Sequence, residues 1–286
     1  MILNQDGRLL VELGGLEFFS SRLLSKETQY VLDAEAITGW LDGPGIRRDA
    51  TPRLAVDGDF YEPAYKSGRL VSITGTAVAT NSAQLQVMRD EFIGLMSDGS
   101  YQWMAVTTEN VRRYALVGLE GKPSWVLLSS NVASFKVDLY APDPRVYGEL
   151  QTVNISQAGN SGNLTFPLNY LLNYNRADND IIASVTNNGN TRAYPLFRVT
   201  GNFNEGFTVT DNVNGRVTFG GIVTMQAPVE INMATATATQ NGVDKSTLLT
   251  VRDWFWVKPG ETMTPTFIPT KDGTGWCDII VRDTWI

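Results

Sequence analysis

The sequence predicts a mainly β protein in two units: an N-terminal antiparallel β unit with one α-helix over residues 1–148, and a C-terminal β-sandwich or jelly roll over residues 149–286. Three observations predict it. Short apolar alternations of period two recur along the whole chain, a convincing helical period occurs once, and two prolines interrupt the alternation near the middle. A chain of 286 residues accommodates two domains of ordinary size, each with its own core.

The first half opens with the alternations Leu9, Val11, Leu13 and then Tyr30, Leu32, Ala34. A loop-rich stretch follows from Asp42-Gly43-Pro44-Gly45 to Asp57-Gly58-Asp59, with Arg47, Arg48, Asp49 and Pro52 inside it. After a strand over 69–76 comes the helix, 82–96, in which Leu85, Met88, Phe92, Leu95 and Met96 share one face. Asn81 or Ser82 supplies its N-cap oxygen, and Ser97-Asp98-Gly99 ends it. Strands resume at 101–107, 113–119 and 135–140.

At Tyr140-Ala141-Pro142-Asp143-Pro144-Arg145-Val146-Tyr147 neither proline can donate to a ladder, and each drives its predecessor toward extended geometry. The chain is expected to leave the sheet there as a stiff connector. The tract 151–190, rich in Asn and Gly, reads as turns and loops. Its apolar residues Leu168, Tyr170, Leu171, Leu172 and Tyr174 fit a linker, an extra strand or a partner contact equally well. Strands at 196–200, 207–210, 216–219, 229–234, 247–257 and 277–282, punctuated by Asn-Gly, Asp-Asn and Pro-Gly turns, make the sandwich.

The chemistry is sparse. The chain has no histidine, which removes the usual general base, the base of nucleophilic triads and the commonest metal ligand. One cysteine, Cys277, excludes an intrachain disulfide; alternating with Ile279 and Val281, it reads as a packed thiol. No phosphate-binding glycine motif is present. Asp57-Gly58-Asp59 and Asp178-Asn179-Asp180 lack the twelve-residue calcium-loop pattern and its closing Glu. Glu230, the one strand carboxylate worth weighing for glycoside hydrolysis, reads as a solvated edge residue. No catalytic, cofactor or metal residue is therefore assigned. The balance of 23 basic and 30 acidic residues, net −7, argues against nucleic-acid recognition, and the pairs Arg47-Arg48 and Arg112-Arg113 read as solvated charges. No run approaches 18 apolar residues, so membrane insertion is not expected. Of Trp254, Trp256, Trp276 and Trp285, the first two fall on one face if their segment is a strand, with Phe255 and Val257 on the other. They are either an exposed platform for a glycan or partner, or a covered aromatic core.

The strand ending in Asp143-Pro144-Arg145-Val146-Tyr147, the order Asn188-Gly189, Pro195, Gly201, and the run Trp254-Phe255-Trp256-Val257-Lys258-Pro259-Gly260 resemble the distal tail protein family of long-tailed bacteriophages. The resemblance spans nearly the whole chain. It implies a minor tail protein of the virion's tail tip, made in the host cytoplasm, whose N-terminal domain builds a homohexameric ring. Its partners would be the tail tube protein, a tail hub or tail-associated protein, and fibres or a receptor-binding protein; an outward C-terminal domain, galectin-like in fold, could meet a host glycan. By the same resemblance residues 42–62 correspond to an extended hairpin embracing the neighbouring subunit, making Arg47, Arg48, Asp49, Asp57 and Asp59 interface candidates. Charged, Gly/Pro-rich loops with few apolar residues gain little from their own domain. The alternative is a stand-alone carbohydrate-binding sandwich using Trp254 and Trp256, with the first half as a spacer.

Overall fold

The computed structural model describes residues 9–20, 26–61, 63–156, 183–211 and 215–286. It divides into two compact units, Met1–Gly148 with Ile286, and Glu149–Trp285.

The first unit contains β1 (Leu10–Leu13), β2 (Leu16–Phe19), β3 (Gln29–Thr38), β4 (Ile46–Arg47), β5 (Tyr65–Lys66), β6 (Arg69–Val78), helix α1 (Ser82–Gly94), β7 (Gln102–Thr108), β8 (Val111–Leu119), β9 (Ser124–Leu127) and β10 (Val132–Ala141). Its sheet runs β8-β7-β1-β2-β3-β6-β10-β9 and closes where β10 also pairs β8, at Leu139↔Leu119 and Tyr140↔Gly118. The first half of β10 thus holds β9 and its end holds β8. The spine is the unbroken antiparallel pairing of β6 with β10, from Val132↔Val78 to Ala141↔Arg69. Alternation puts Val71, Ile73, Phe135, Val137 and Leu139 inside the closed sheet.

Helix α1 starts as the sequence dictates: the Asn81 side chain accepts from the Gln84 N–H at 2.9 Å. Its face of Leu85, Met88 and Phe92 is buried, followed by Leu95 and Met96. Phe92 meets Phe135 at 5.2 Å and Trp125 at 5.6 Å between ring centroids. The Tyr30 hydroxyl donates to the Met88 carbonyl at 2.7 Å, and burial pushes its pKa well up. Ala34 departs from expectation. It is exposed, because β3 bulges against β6 between Leu32 and Ile37 and loses its inward phase.

The prolines do not release the chain as a stiff connector. After a short turn β11 (Val146–Ser156) begins, so residues 151–156 are strand, not loop. The apolar cluster 168–174 and Asp178-Asn179-Asp180 lie outside the described residues.

The second unit adds β12 (Val185–Thr186), β13 (Leu196–Phe203), β14 (Phe207–Asp211), β15 (Gly215–Phe219), β16 (Val229–Asn232), β17 (Thr237–Gln240), β18 (Val243–Asp244), β19 (Leu249–Arg252), β20 (Thr262–Met263), β21 (Pro265–Pro269) and β22 (Gly273–Trp285). One sheet contains β18-β17-β16-β13-β22-β11, the other β19-β15-β14-β21. Phe197, Val199, Ile231, Cys277 and Ile279 from the first share one core with Phe207, Val209, Val217, Phe219 and Phe267 from the second. That is a sandwich. Only Leu249–Arg252 of the expected strand 247–257 is a strand.

One buried polar side chain locks the loops at the end of this sandwich. Asn187, fully buried, donates to the carbonyls of Thr191 at 2.7 Å and Val257 at 3.1 Å, and accepts from the N–H groups of Gly189 at 3.0 Å and Thr284 at 3.2 Å. The Pro259-Gly260 turn closes on the same residue, with the Gly260 N–H on the Asn187 carbonyl at 2.8 Å. Asn187→Ala leaves two N–H groups without an acceptor and should lower unfolding free energy by about 3 kcal/mol. Urea titration checks this; a loss under about 1 kcal/mol contradicts it.

Candidate assembly surface

The feature that stands apart from both cores is an arm. Chain leaves β3 at Gly39, φ +77, where an added Cβ would stand 1.9 Å from the Leu70 carbonyl oxygen, so the turn requires glycine. It then forms a hairpin in which β4 and β5 pair Ile46↔Lys66 and Arg47↔Tyr65. Further out, Pro52 bridges Asp59, the Phe60 N–H donates to Thr51 at 2.9 Å, and the Arg53 N–H donates to Gly58 at 3.0 Å. The arm is held by its own backbone. Of residues 41–61 all but Pro44 are exposed.

Arg47, Arg48, Asp49, Asp57 and Asp59 all lie on this arm, exposed. The apolar content differs from expectation: Leu41, Ile46, Leu54, Val56, Phe60, Tyr61 and Tyr65 are also exposed, Leu54 and Tyr61 at 95%. The Arg53 guanidinium lies over the Phe60 ring at 5.8 Å, the one ring contact along the outer arm among the described residues.

The arm root is fixed by a residue whose role the sequence did not reveal. Arg69, 4% exposed, donates through Nη1 to the carbonyls of Gly39 at 2.8 Å, Trp40 at 3.0 Å and Asp42 at 2.5 Å, and through Nε to Pro144 at 3.3 Å. Burial lowers its pKa and the nearby Asp42 charge opposes that. Beside it, Asp143 folds the proline turn: Oδ1 accepts from the Arg145 N–H at 3.1 Å and Nε at 2.8 Å, and Oδ2 accepts from the Tyr147 hydroxyl at 2.5 Å. This is what the Asp-Pro-Arg-x-Tyr string does physically.

In the second unit Phe255 and Val257 are buried and Trp254 and Trp256 half-buried, so the inside-outside alternation holds without a strand. Trp254 packs on the core. Trp256 has Arg192 over its ring at 4.2 Å and Tyr194 at 6.1 Å. The pair is not a bare aromatic face. Glu230 is bridged to Arg198 at 2.6 Å, and Arg112 to Glu12 at 2.7 Å. Among the described residues no three His, Cys, Asp or Glu side chains group as a metal site, and no helix is long and apolar enough to cross a membrane.

Residues 188–285 match the family described as siphovirus-type tail component, C-terminal domain. Across 97% of this chain and 99% of the other, the fold is similar to the crystal structure of SPP1 Dit (gp 19.1), described as a paradigm of the hub adsorption apparatus in phages infecting Gram-positive bacteria, with a TM-score of 0.61 at 12% identity. A chain from the phage p2 baseplate in its activated conformation with Sr is similar over 96% of this chain and 98% of its own, with a TM-score of 0.50 at 12% identity. No curated protein matches the sequence. A closed strand unit with an arm is followed by a sandwich that matches the siphovirus-type tail-component domain. The family match thus rests on the C-terminal part of the chain, residues 188–285, and the likeness to SPP1 Dit is one of fold.

Two outcomes test this local chemistry. Arg69→Met removes the donor to four carbonyls; stability should fall by about 3 kcal/mol, and limited proteolysis should speed up within residues 40–45. Unchanged cleavage there would contradict the clamp. Burial pushes the Cys277 thiol far up, so at neutral pH a thiol reagent should label it only as the chain unfolds. Rapid labelling of native protein would refute that burial.

Proposed function

We propose that this protein forms a closed, six-fold homo-oligomeric ring at the end of the phage tail, joining the tail tube to the hub and the fibre or receptor-binding complex. Unit one builds the ring and unit two faces outward. The observation that carries this reading is the arm: apolar side chains left exposed along a hairpin lower their free energy by packing against a partner. Rotational closure requires two different patches on one subunit to meet repeatedly, and a projecting arm supplies one of them. The role is mechanical. The chain offers no histidine base and its one thiol is buried, so the purified protein should hydrolyse neither glycans nor phosphate esters.

Negative-stain imaging and sedimentation of purified full-length protein test the assembly. Wild type should form closed rings at high concentration, and a variant with residues 48–64 replaced by a short Gly-Ser linker should remain monomeric with its melting temperature within about 2 °C of wild type. A fragment of residues 149–286 should be folded, soluble and monomeric. Rings from the arm-less variant, or from the fragment, would overturn the assignment of assembly to the first unit.

A further inference from the structure

The sequence contains the Asn-Gly dipeptide three times, at Asn188-Gly189, Asn214-Gly215 and Asn241-Gly242. Asparagine is thermolabile, and most so before glycine, where no side chain shields the following backbone nitrogen from the amide carbon. The second unit treats two of these pairs in opposite ways; Asn214 lies outside the described residues. Asn188 is held at every point such a reaction needs. The Gly189 N–H donates to the buried Asn187 Oδ1 at 3.0 Å, the Asn188 Nδ2 donates to Asp283 Oδ2 at 3.0 Å, and the Asn188 N–H donates to Asp283 Oδ1 at 2.9 Å. Gly189 also packs so tightly that a Cβ on it would stand 1.9 Å from the Thr284 carbonyl oxygen. Asn241-Gly242 is the turn between β17 and β18, with φ +50 and +75, the left-handed pair that a two-residue hairpin requires. Both residues are exposed, and nothing lies within 4 Å of a Cβ built on Gly242. Neither the Asn241 amide nor the Gly242 N–H has a hydrogen-bond partner among the described residues. Only the pairs Thr239↔Asp244 and Gln240↔Val243 hold β18 to its neighbour, so the turn opens at little cost.

We propose that Asn241 is a site of spontaneous covalent modification to aspartate and isoaspartate, and that the Asn187 and Asp283 contacts protect Asn188 from the same chemistry. Hydroxide from the solvent takes the Gly242 amide proton, and the backbone nitrogen attacks Asn241 Cγ. A C–N bond forms there, the Cγ–Nδ2 bond breaks, and the side-chain nitrogen leaves as ammonia. One water then opens the cyclic imide: at Cγ it gives aspartate, and at the backbone carbonyl it gives isoaspartate, whose main chain runs through Cγ. At Asn188 the first step is blocked, because the Gly189 proton is already given to Asn187 and the leaving amide is tied to Asp283. Either product places a new negative charge two residues after Thr239 and three before Asp244, at the edge of the sandwich. Isoaspartate also lengthens the main chain by one methylene inside the turn, which the left-handed hairpin geometry cannot absorb, so the Gln240↔Val243 pair opens. The exposed Val243 and Leu248 sit on this edge, and the Gln240 amide that ties in the loop at Ile222 and Ala227 is next to the modified residue. The modification therefore changes both the charge and the order of one edge of the second unit as the protein ages.

Incubation of full-length protein at mildly alkaline pH, followed by peptide mapping in a mass spectrometer with enzymatic methylation to mark isoaspartate, reads each site separately. In the native protein Asn241 should be lost about tenfold or more faster than Asn188, and in urea the two rates should converge to within about threefold. Asn187→Ala, shown by thermal melting to be folded, should raise the loss at Asn188 by about tenfold and leave Asn241 unchanged, which separates released protection from general unfolding. Should that variant misfold, Asp283→Ala replaces it with the same expectation. Native protein in which Asn241 stays intact while reacting in urea, or in which Asn188 is lost as fast as Asn241, overturns the assignment of the site. A folded Asn187→Ala or Asp283→Ala variant in which Asn188 reacts no faster than in wild type overturns the protection.

Discussion

One buried guanidinium organises the first unit. Arg69 sits at the last rung of the β6–β10 spine, opposite Ala141, and its donors reach the first carbonyls of the arm and the carbonyl of Pro144 in the turn that ends the unit. A buried cation holds this place only because four carbonyls replace its water, and those carbonyls accept it only where Gly39 lets the backbone bend hard against Leu70. The direction in which the arm departs and the position at which β11 begins are thereby fixed by the same side chain. An arm anchored this firmly at the root and unsupported beyond Leu41 suits a part whose partner lies outside the chain.

The second unit solves a comparable problem with an amide. Its sandwich core is ordinary aromatic and β-branched packing, but the loops at its end meet through Asn187, with Asp283 taking the Asn188 N–H at 2.9 Å and the Gln151 amide at 3.0 Å. Both units thus use a buried polar group to pin segments far apart in sequence. Such pinning suits the mechanical role proposed above, because it gives each unit a fixed frame and the arm a stiff exit.

Much of this was legible in the sequence. Period two located the long strands, because β6, β10, β13 and β22 run eight residues or more and show several cycles of alternation. The helix and its Asn81 cap were legible for the same reason. Strands of two to five residues, such as β4, β5, β18 and β20, show no period and owe their existence to their partners. The exposure of Ala34 is set by a bulge against β6, which no local pattern records. Arg69 opens the strand expected at 69–76, and nothing local marks it for burial. Its burial depends on carbonyls 30 and 75 residues away along the chain. The arm was visible as a charged Gly/Pro-rich stretch, yet the weight of Leu54, Phe60 and Tyr61 was missed, since apolar residues in a loop reveal their exposure only once the fold shows that nothing covers them. Trp254 and Trp256 were correctly set opposite Phe255 and Val257, but the covering of Trp256 by Arg192 comes from a loop 64 residues upstream (256 − 192).

The most direct measurement is a reconstruction of the assembled phage tail tip at a resolution that traces the 46–66 hairpin. Each hairpin should leave its own unit at Gly39 and lie along the adjacent copy of this chain, with Leu54 and Tyr61 buried there. A hairpin folded back on its own unit, or left in solvent while rings close through other surfaces, would contradict it.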